Sequence, residues 1–163
     1  MCLVHDMAEL LVGDITPVDG VAKPEKSRRE AQTMDYLTST LLRSVSGGSD
    51  AGAALRAAWQ EYEDGKTLES QFVHDVDKME LLLQMVEYEK RAEHRIDLGE
   101  FSYVASKMVL EETRVWGEEV IAEREAFWGQ KEHIVMVDGK VLAVQGNMDE
   151  RRKQQDEYYS RED

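Results

Sequence analysis

The stretch VHDMAELLVGDITP at the start of the chain sets His5, Asp6, Glu9 and Asp14 into an otherwise apolar run. A helix turns about 100° per residue, so His5 and Glu9 lie nearly above one another and Asp6 is one step round. Leu3, Val4, Met7, Leu10 and Leu11 then fill much of the remaining surface. The pattern predicts a mostly buried helix already under way at Met1 and stopped at Gly13. Buried charge without compensation is costly or neutralises itself by a shifted pKa, and a divalent metal would supply the compensation. A capped, hydrogen-bonded histidine beside a solvated acid is the commoner explanation of a bare His-Asp pair. The trailing Glu9 and Asp14 turn the reading toward metal.

Charge and cysteine usage narrow the function classes. With 34 acidic and 20 basic side chains the formal net charge is -14, which disfavours a surface that tracks duplex phosphates and so excludes a nucleic-acid duplex as the expected partner. A small phosphorylated substrate stays open, because a metal and one or two cations can hold an anion against an unfavourable global field. Cys2 is the only cysteine, so no intrachain disulfide forms and a reducing compartment is expected. No apolar run has the length of a membrane span and no signal peptide is evident, so neither a membrane nor export is expected. The expected location is cytoplasmic, with a nuclear one left open.

The remaining pattern is helical. Asp14 to Lys23 reads as an irregular loop, and Pro24 sits where the first turn of a helix tolerates proline. Met34, Leu37 and Leu41 mark the inner face of that helix, and Lys23, Lys26, Arg28 and Arg29 form a basic cluster at its N-terminal end. The cluster is read as a solvated face, with a phosphate clamp formed by Arg28 or Arg29 as its functional alternative. Ser46 to Gly52 reads as a flexible connection. Leu55, Ala58, Trp59 and Tyr62 predict a helix ended by Gly65, and Thr67 is placed to cap the next. From Leu68 to about Arg91, Phe72, Val76, Met79, Leu83 and Val86 predict the seam of a long helix.

On that helix Asp77 and Glu80 adjoin the seam, while His74 and Asp75 are read as a surface decoy on a solvated edge. Phe101, Val104, Ala105 and Met108 suggest one further helix, and Val120, Ile121, Phe127 and Trp128 another, with a break near Trp116 and Gly117. His94 and His133 have no motif around them. HIVMV and KVLAV flank Asp138-Gly139 and predict a β-hairpin. The domain plan is 1–129 helical, 130–148 hairpin and 149–163 a charged, disordered tail.

His5-Asp6, Glu9, Gly13-Asp14-Ile15, the KPEKSRRE helix start and the later Phe-Val-x-x-x-Asp-x-x-Glu together resemble the HD-domain metal-dependent phosphohydrolases. More narrowly they are similar to the 5'-deoxynucleotidase branch that contains the HD domain-containing protein 2 type. The resemblance covers roughly residues 1–124 and implies an all-α HD-domain helical bundle. It implies a divalent ion (Mn, Co, Mg or Fe) held by His5, Asp6 and Asp77, with Glu9 and Asp14 orienting water or substrate. Glu9, Asp14 and the Ile15 carbonyl could instead hold a second, weaker ion.

The family's first metal histidine normally precedes the doublet, so the chain is expected to be N-terminally truncated, lacking the bundle's first helix or helices, with a degenerate paralogue as the alternative. The implied reaction is hydrolysis of deoxyribonucleoside 5'-monophosphates to deoxynucleoside and phosphate. Alternatives are an inactive metal-binding helical interaction protein and a phosphodiesterase or pyrophosphohydrolase on the same fold. The apolar helices and lone hairpin add the expectation of a homodimer.

Overall fold

The computed structural model describes residues 1–16, 19–129, 136–137 and 140–141. The elements are α1 (Glu9–Val12), α2 (Lys23–Asp35), a π-helical segment (Tyr36–Leu41), a 3-10 turn (Leu42–Ser44), α3 (Gly48–Asp64), α4 (Leu68–Arg91), a 3-10 helix (Gly99–Lys107) and α5 (Glu111–Trp128). The fold is all-α. The expected hairpin is represented by two short strands, β1 (Met136–Val137) and β2 (Lys140–Val141), paired antiparallel with Met136 opposite Val141. The tail at 149–163 and the Asp138-Gly139 turn lie outside the described residues. Two compact units divide inside α4, one holding Met1–Val73 and the other beginning at His74.

In the first unit Ala8, Met34, Leu37 and Trp59 form the core, with Met7 and Ala31 packed against it. Pro24 opens α2 as expected, at a position where its missing N–H costs nothing. The hydroxyls of Thr38 and Ser39 bond back to the carbonyls of Met34 and Asp35. Such back-bonding competes with the regular ladder, and the helix widens into its π-turn here.

The expected helix from Met1 to Gly13 is corrected. Residues 2–8 are successive turns and only Glu9–Val12 is α-helical. Bonds of the i to i+3 kind, from Met7 to Val4 and from Glu9 to Asp6, replace the regular ladder. The stretch is also not mostly buried, because only Val4 and Ala8 are buried while Leu3, Leu10 and Leu11 are exposed. Gly13 does end it, at φ 83°, with its N–H on the Glu9 carbonyl.

The expected flexible link at Ser46–Gly52 is corrected too. Gly47 is left-handed at φ 73°, α3 begins at Gly48, and both Gly48 and Gly52 are buried. A Cβ on Gly48 would lie 1.8 Å from the Leu42 carbonyl oxygen, and one on Gly52 2.2 Å from that of Thr38. These glycines permit backbone-to-backbone packing. α3 ends at Gly65, left-handed at φ 60°. Thr67 then caps α4: its Oγ1 accepts from the Ser70 N–H at 3.1 Å, and Ser70 Oγ accepts from the Thr67 N–H at 3.1 Å.

In the second unit Leu82, Met85, Val86, Val104, Met108 and Val120 form the core. The bounds of α4 agree with the sequence, and so do Val86, which is buried, and Met79, which packs against the core, but the rest of the buried face differs. Phe72, Val76 and Leu83 are exposed, whereas Asp75, Leu82, Met85 and Glu89 are buried. The stretch from Phe101 to Lys107 is 3-10 rather than α, and α5 runs unbroken through Trp116 and Gly117. No break is needed because Gly117 accepts the close approach of Met108 Sδ, which a Cβ would meet at 2.8 Å.

Two buried carboxylates organise this unit. Asp75 has no exposed surface and is not a solvated decoy. It accepts the N–H groups of Val109 and Leu110 and the Thr113 hydroxyl, at 3.0, 2.8 and 2.6 Å, and so caps α5 from another helix. Burial alone would raise its pKa, yet these bonds and Lys78 hold the carboxyl below its ordinary value. Glu89, also fully buried, takes two bonds of 2.9 Å from Arg124, one from Trp128 Nε1 at 2.7 Å and one from the Leu98 N–H at 2.6 Å.

Candidate functional site

His5, Asp6 and Glu9 lie on successive turns of the N-terminal segment, which the buried side chains of Val4 and Ala8 pin to the first unit's core. His5 Nδ1 is 2.9 Å from the Cys2 carbonyl oxygen, so Nδ1 carries the proton and donates it. Nε2 then faces Asp6 Oδ2 at 3.0 Å. In the neutral ring that nitrogen is an electron pair pointed at a carboxylate, an arrangement that only a proton or a cation between them makes favourable. The Tyr62 ring lies 5.0 Å from the imidazole and limits its rotation.

Glu9 is half-buried. Burial first, then the neighbouring Asp14 and Asp6 carboxylates, push its carboxyl up to about 7 against the pull of Lys26. A carboxyl poised near neutrality is suited to taking or giving a proton. Lys26 Nζ stands 3.9 Å from Glu9 Oε1 and 3.6 Å from Glu30 Oε1. Glu30 is 6% exposed, and its burial raises its pKa while Lys26 opposes the rise.

Asp14 is exposed and Ile15 half-buried just beyond the end of α1. Arg28 and Arg29 are not turned toward this acidic group. Arg28 grips both carboxylate oxygens of Glu25 at 2.8 Å, and Arg29 Nε holds Oε1 of the same residue at 2.8 Å. Leu11, Val12, Arg29, Gln32, Thr33 and Tyr36 line an open groove of about 400 Å³ on this side of α2. Asp77 lies exposed on α4, in the second unit.

Among the described residues no three of His, Cys, Asp and Glu gather as a metal cage. What the first unit presents is a two-donor edge, an imidazole nitrogen beside a carboxylate oxygen. Such a donor set suits a divalent ion that keeps other positions for water or substrate. The sequence pattern does not mark Lys26 and Glu30 as a pair. A signal for them exists, since Glu30, Met34 and Leu37 step along one buried helix face and Lys26 lies one turn before Glu30.

The chain is an all-α protein that presents a His-Asp doublet with trailing acids from one short segment. Residues 1–116 match the HD domain family model, and the chain belongs to that family. It is 38% identical over 128 residues to the 5'-deoxynucleotidase YGK1 of Saccharomyces cerevisiae, covering 78% of this chain and 59% of that protein. It is 43% identical over 89 residues to the human 5'-deoxynucleotidase HDDC2, covering 55% and 41%. The solved structure of the HD domain-containing protein YGK1 superposes with a TM-score of 0.61 at 33% identity, over 78% of this chain and 63% of that one. The chain thus spans about half the length of the curated relatives it matches. Among the described residues no helix is long and apolar enough to cross a membrane.

Proposed function

We propose that this chain contributes to metal-dependent hydrolysis of deoxyribonucleoside 5'-monophosphates, giving deoxynucleoside and phosphate. The observation that carries the reading is the His5 Nε2 to Asp6 Oδ2 approach of 3.0 Å with Nδ1 already committed to a carbonyl. Relatives named 5'-deoxynucleotidase at 38 and 43% identity support the substrate class. His5 and Asp6, with Asp77, are the residues proposed to hold a divalent ion, Mn, Co, Mg or Fe. Bound there, the ion would acidify a water and polarise the phosphoryl group. Glu9 and Asp14 orient that water or take its proton, or with the Ile15 carbonyl hold a second ion. Arg28 and Arg29 are the weaker part of the reading, because both are engaged with Glu25. A homodimer and a cytoplasmic location belong to the same reading. The half-exposed apolar residues Phe72, Val76 and Leu83 on α4 support the dimer, and light scattering tests it.

The test of function is release of inorganic phosphate from deoxynucleoside monophosphates by the full-length natural protein with added Mn or Co. His5→Ala is expected to lower the rate on the order of 100-fold, about 2.7 kcal/mol of barrier. No metal-dependent release, with His5→Ala indistinguishable from the parent, overturns the proposal.

A further inference from the structure

We infer that Lys26 and Glu30 of α2 are a positioning pair for Glu9. Lys26 spans from the buried Glu30 carboxylate to Glu9 on α1, at 3.6 and 3.9 Å, and so fixes the carboxylate that faces the reacting water. The inference rests on the reading of Glu9 in the proposed function.

A lysine held by one exposed acid exchanges freely with water, and such a pair fixes little. Lys26 differs because one of its partners is 6% exposed. If the ammonium swung out to solvent, Glu30 would remain as a buried charge without compensation, and that is a strongly unfavourable state. The ammonium is therefore anchored from the core side. Its second contact crosses from α2 to α1, to the one acid of the N-terminal segment that is half-buried. Glu9 is carried on a helix of only four residues, Glu9–Val12, preceded by turns. A segment that short holds a side chain poorly without an external tie. Arg28 and Arg29 cannot serve, since Glu25 occupies both. Lys26 touches neither substrate nor metal in this scheme; it acts through Glu9.

The pair is tested with Lys26→Arg, Lys26→Met and the double variant Lys26→Met/Glu30→Gln, which removes the buried Glu30 charge together with its half-buried cation and so keeps the fold available. Phosphate release from deoxyadenosine monophosphate and calorimetric titration with Mn2+ alone are measured on the full-length natural protein. Expected is a fall of about 10- to 100-fold in kcat for the double variant with KM unchanged. Mn2+ affinity should be retained, and Lys26→Arg should restore most of the rate. Loss of Mn2+ affinity in parallel with activity, or an unchanged kcat, overturns the inference. Should the parent protein release no phosphate, the proposed function fails by itself. The pairing is then read from denaturant unfolding of Glu9→Gln, Lys26→Gln and the two combined: non-additive stabilities uphold it, and additive ones overturn it.

Discussion

Asp75 is charged, has no exposed surface, and besides Lys78 receives its hydrogen bonds from residues more than thirty positions away. Its worth lies in closing the start of α5, whose first N–H groups have no partner within their own helix. Asp75→Asn keeps one acceptor oxygen and loses the charge, so several donors are left competing for it. The expected cost is about 1–3 kcal/mol, read as a lowered denaturation midpoint, with far-UV circular dichroism retaining the helices. Glu25 makes the opposite case at the surface. The hydrogen bonds of Arg28, then of Arg29, hold its carboxyl down at about 2, against an ordinary 4.5. A carboxyl lowered on folding adds stability that is fully present above its unfolded value. That stability is lost as the pH falls through its folded value, so the window here runs from about 4.5 down to about 2. An NMR titration should place the Glu25 midpoint near 2, and Arg28→Ala with Arg29→Ala should return it toward 4.5. A midpoint near 4.5 in the parent would show that the two arginines do not hold it.

At the scale of elements, the glycines separate two kinds of close approach. Gly52→Ala drives a methyl to 2.2 Å from a backbone oxygen of the π-helical segment, which cannot step aside. It should destabilise by about 1–3 kcal/mol. Gly117→Ala meets the flexible end of Met108 at 2.8 Å. The side chain can move, and alanine improves a helix interior by roughly 0.5–1 kcal/mol, so the net change should be near zero. Equal losses from the two substitutions, in parallel chemical denaturation, would contradict this distinction. The same residues show what could be read from sequence. Thr67 and Gly65 announce an end and a start because capping is local chemistry, and the bounds of α4 follow from it. Gly47, Gly48 and Gly52 suit a loop and a tight helix crossing equally, and only the partner backbone decides. Part of the buried face of α4 is hidden for a related reason. It carries Asp75 and Glu89, which hydropathy assigns to solvent, and their partners Thr113, Arg124 and Trp128 lie 35 to 39 residues away.

At the scale of the whole molecule, the residues proposed for the candidate site divide by sequence distance. His5, Asp6, Glu9 and Asp14 can be grouped from sequence because they share one short segment, whereas Asp77 enters the proposal only through the likeness to a family. Lys26 was concealed inside a basic run whose arginines do face solvent. The acids of the N-terminal segment, in a chain of net charge -14, also make a prediction that needs no substrate. A ligand that binds the folded chain and not the unfolded one stabilises it by mass action, about 2.7 kcal/mol at a hundredfold excess over Kd. For a chain of this size that corresponds to a rise in Tm of roughly 5–10 °C. Saturating Mn2+ should produce such a rise, EDTA should reverse it, and His5→Ala with Asp6→Ala should abolish it. Sodium chloride matched in ionic strength should reproduce little of it, because screening acts on all exposed carboxylates alike and needs no histidine. A rise of the same size in the His5→Ala, Asp6→Ala chain would assign the effect to the general acidity of the surface. The His-Asp edge would then have no claim to the ion.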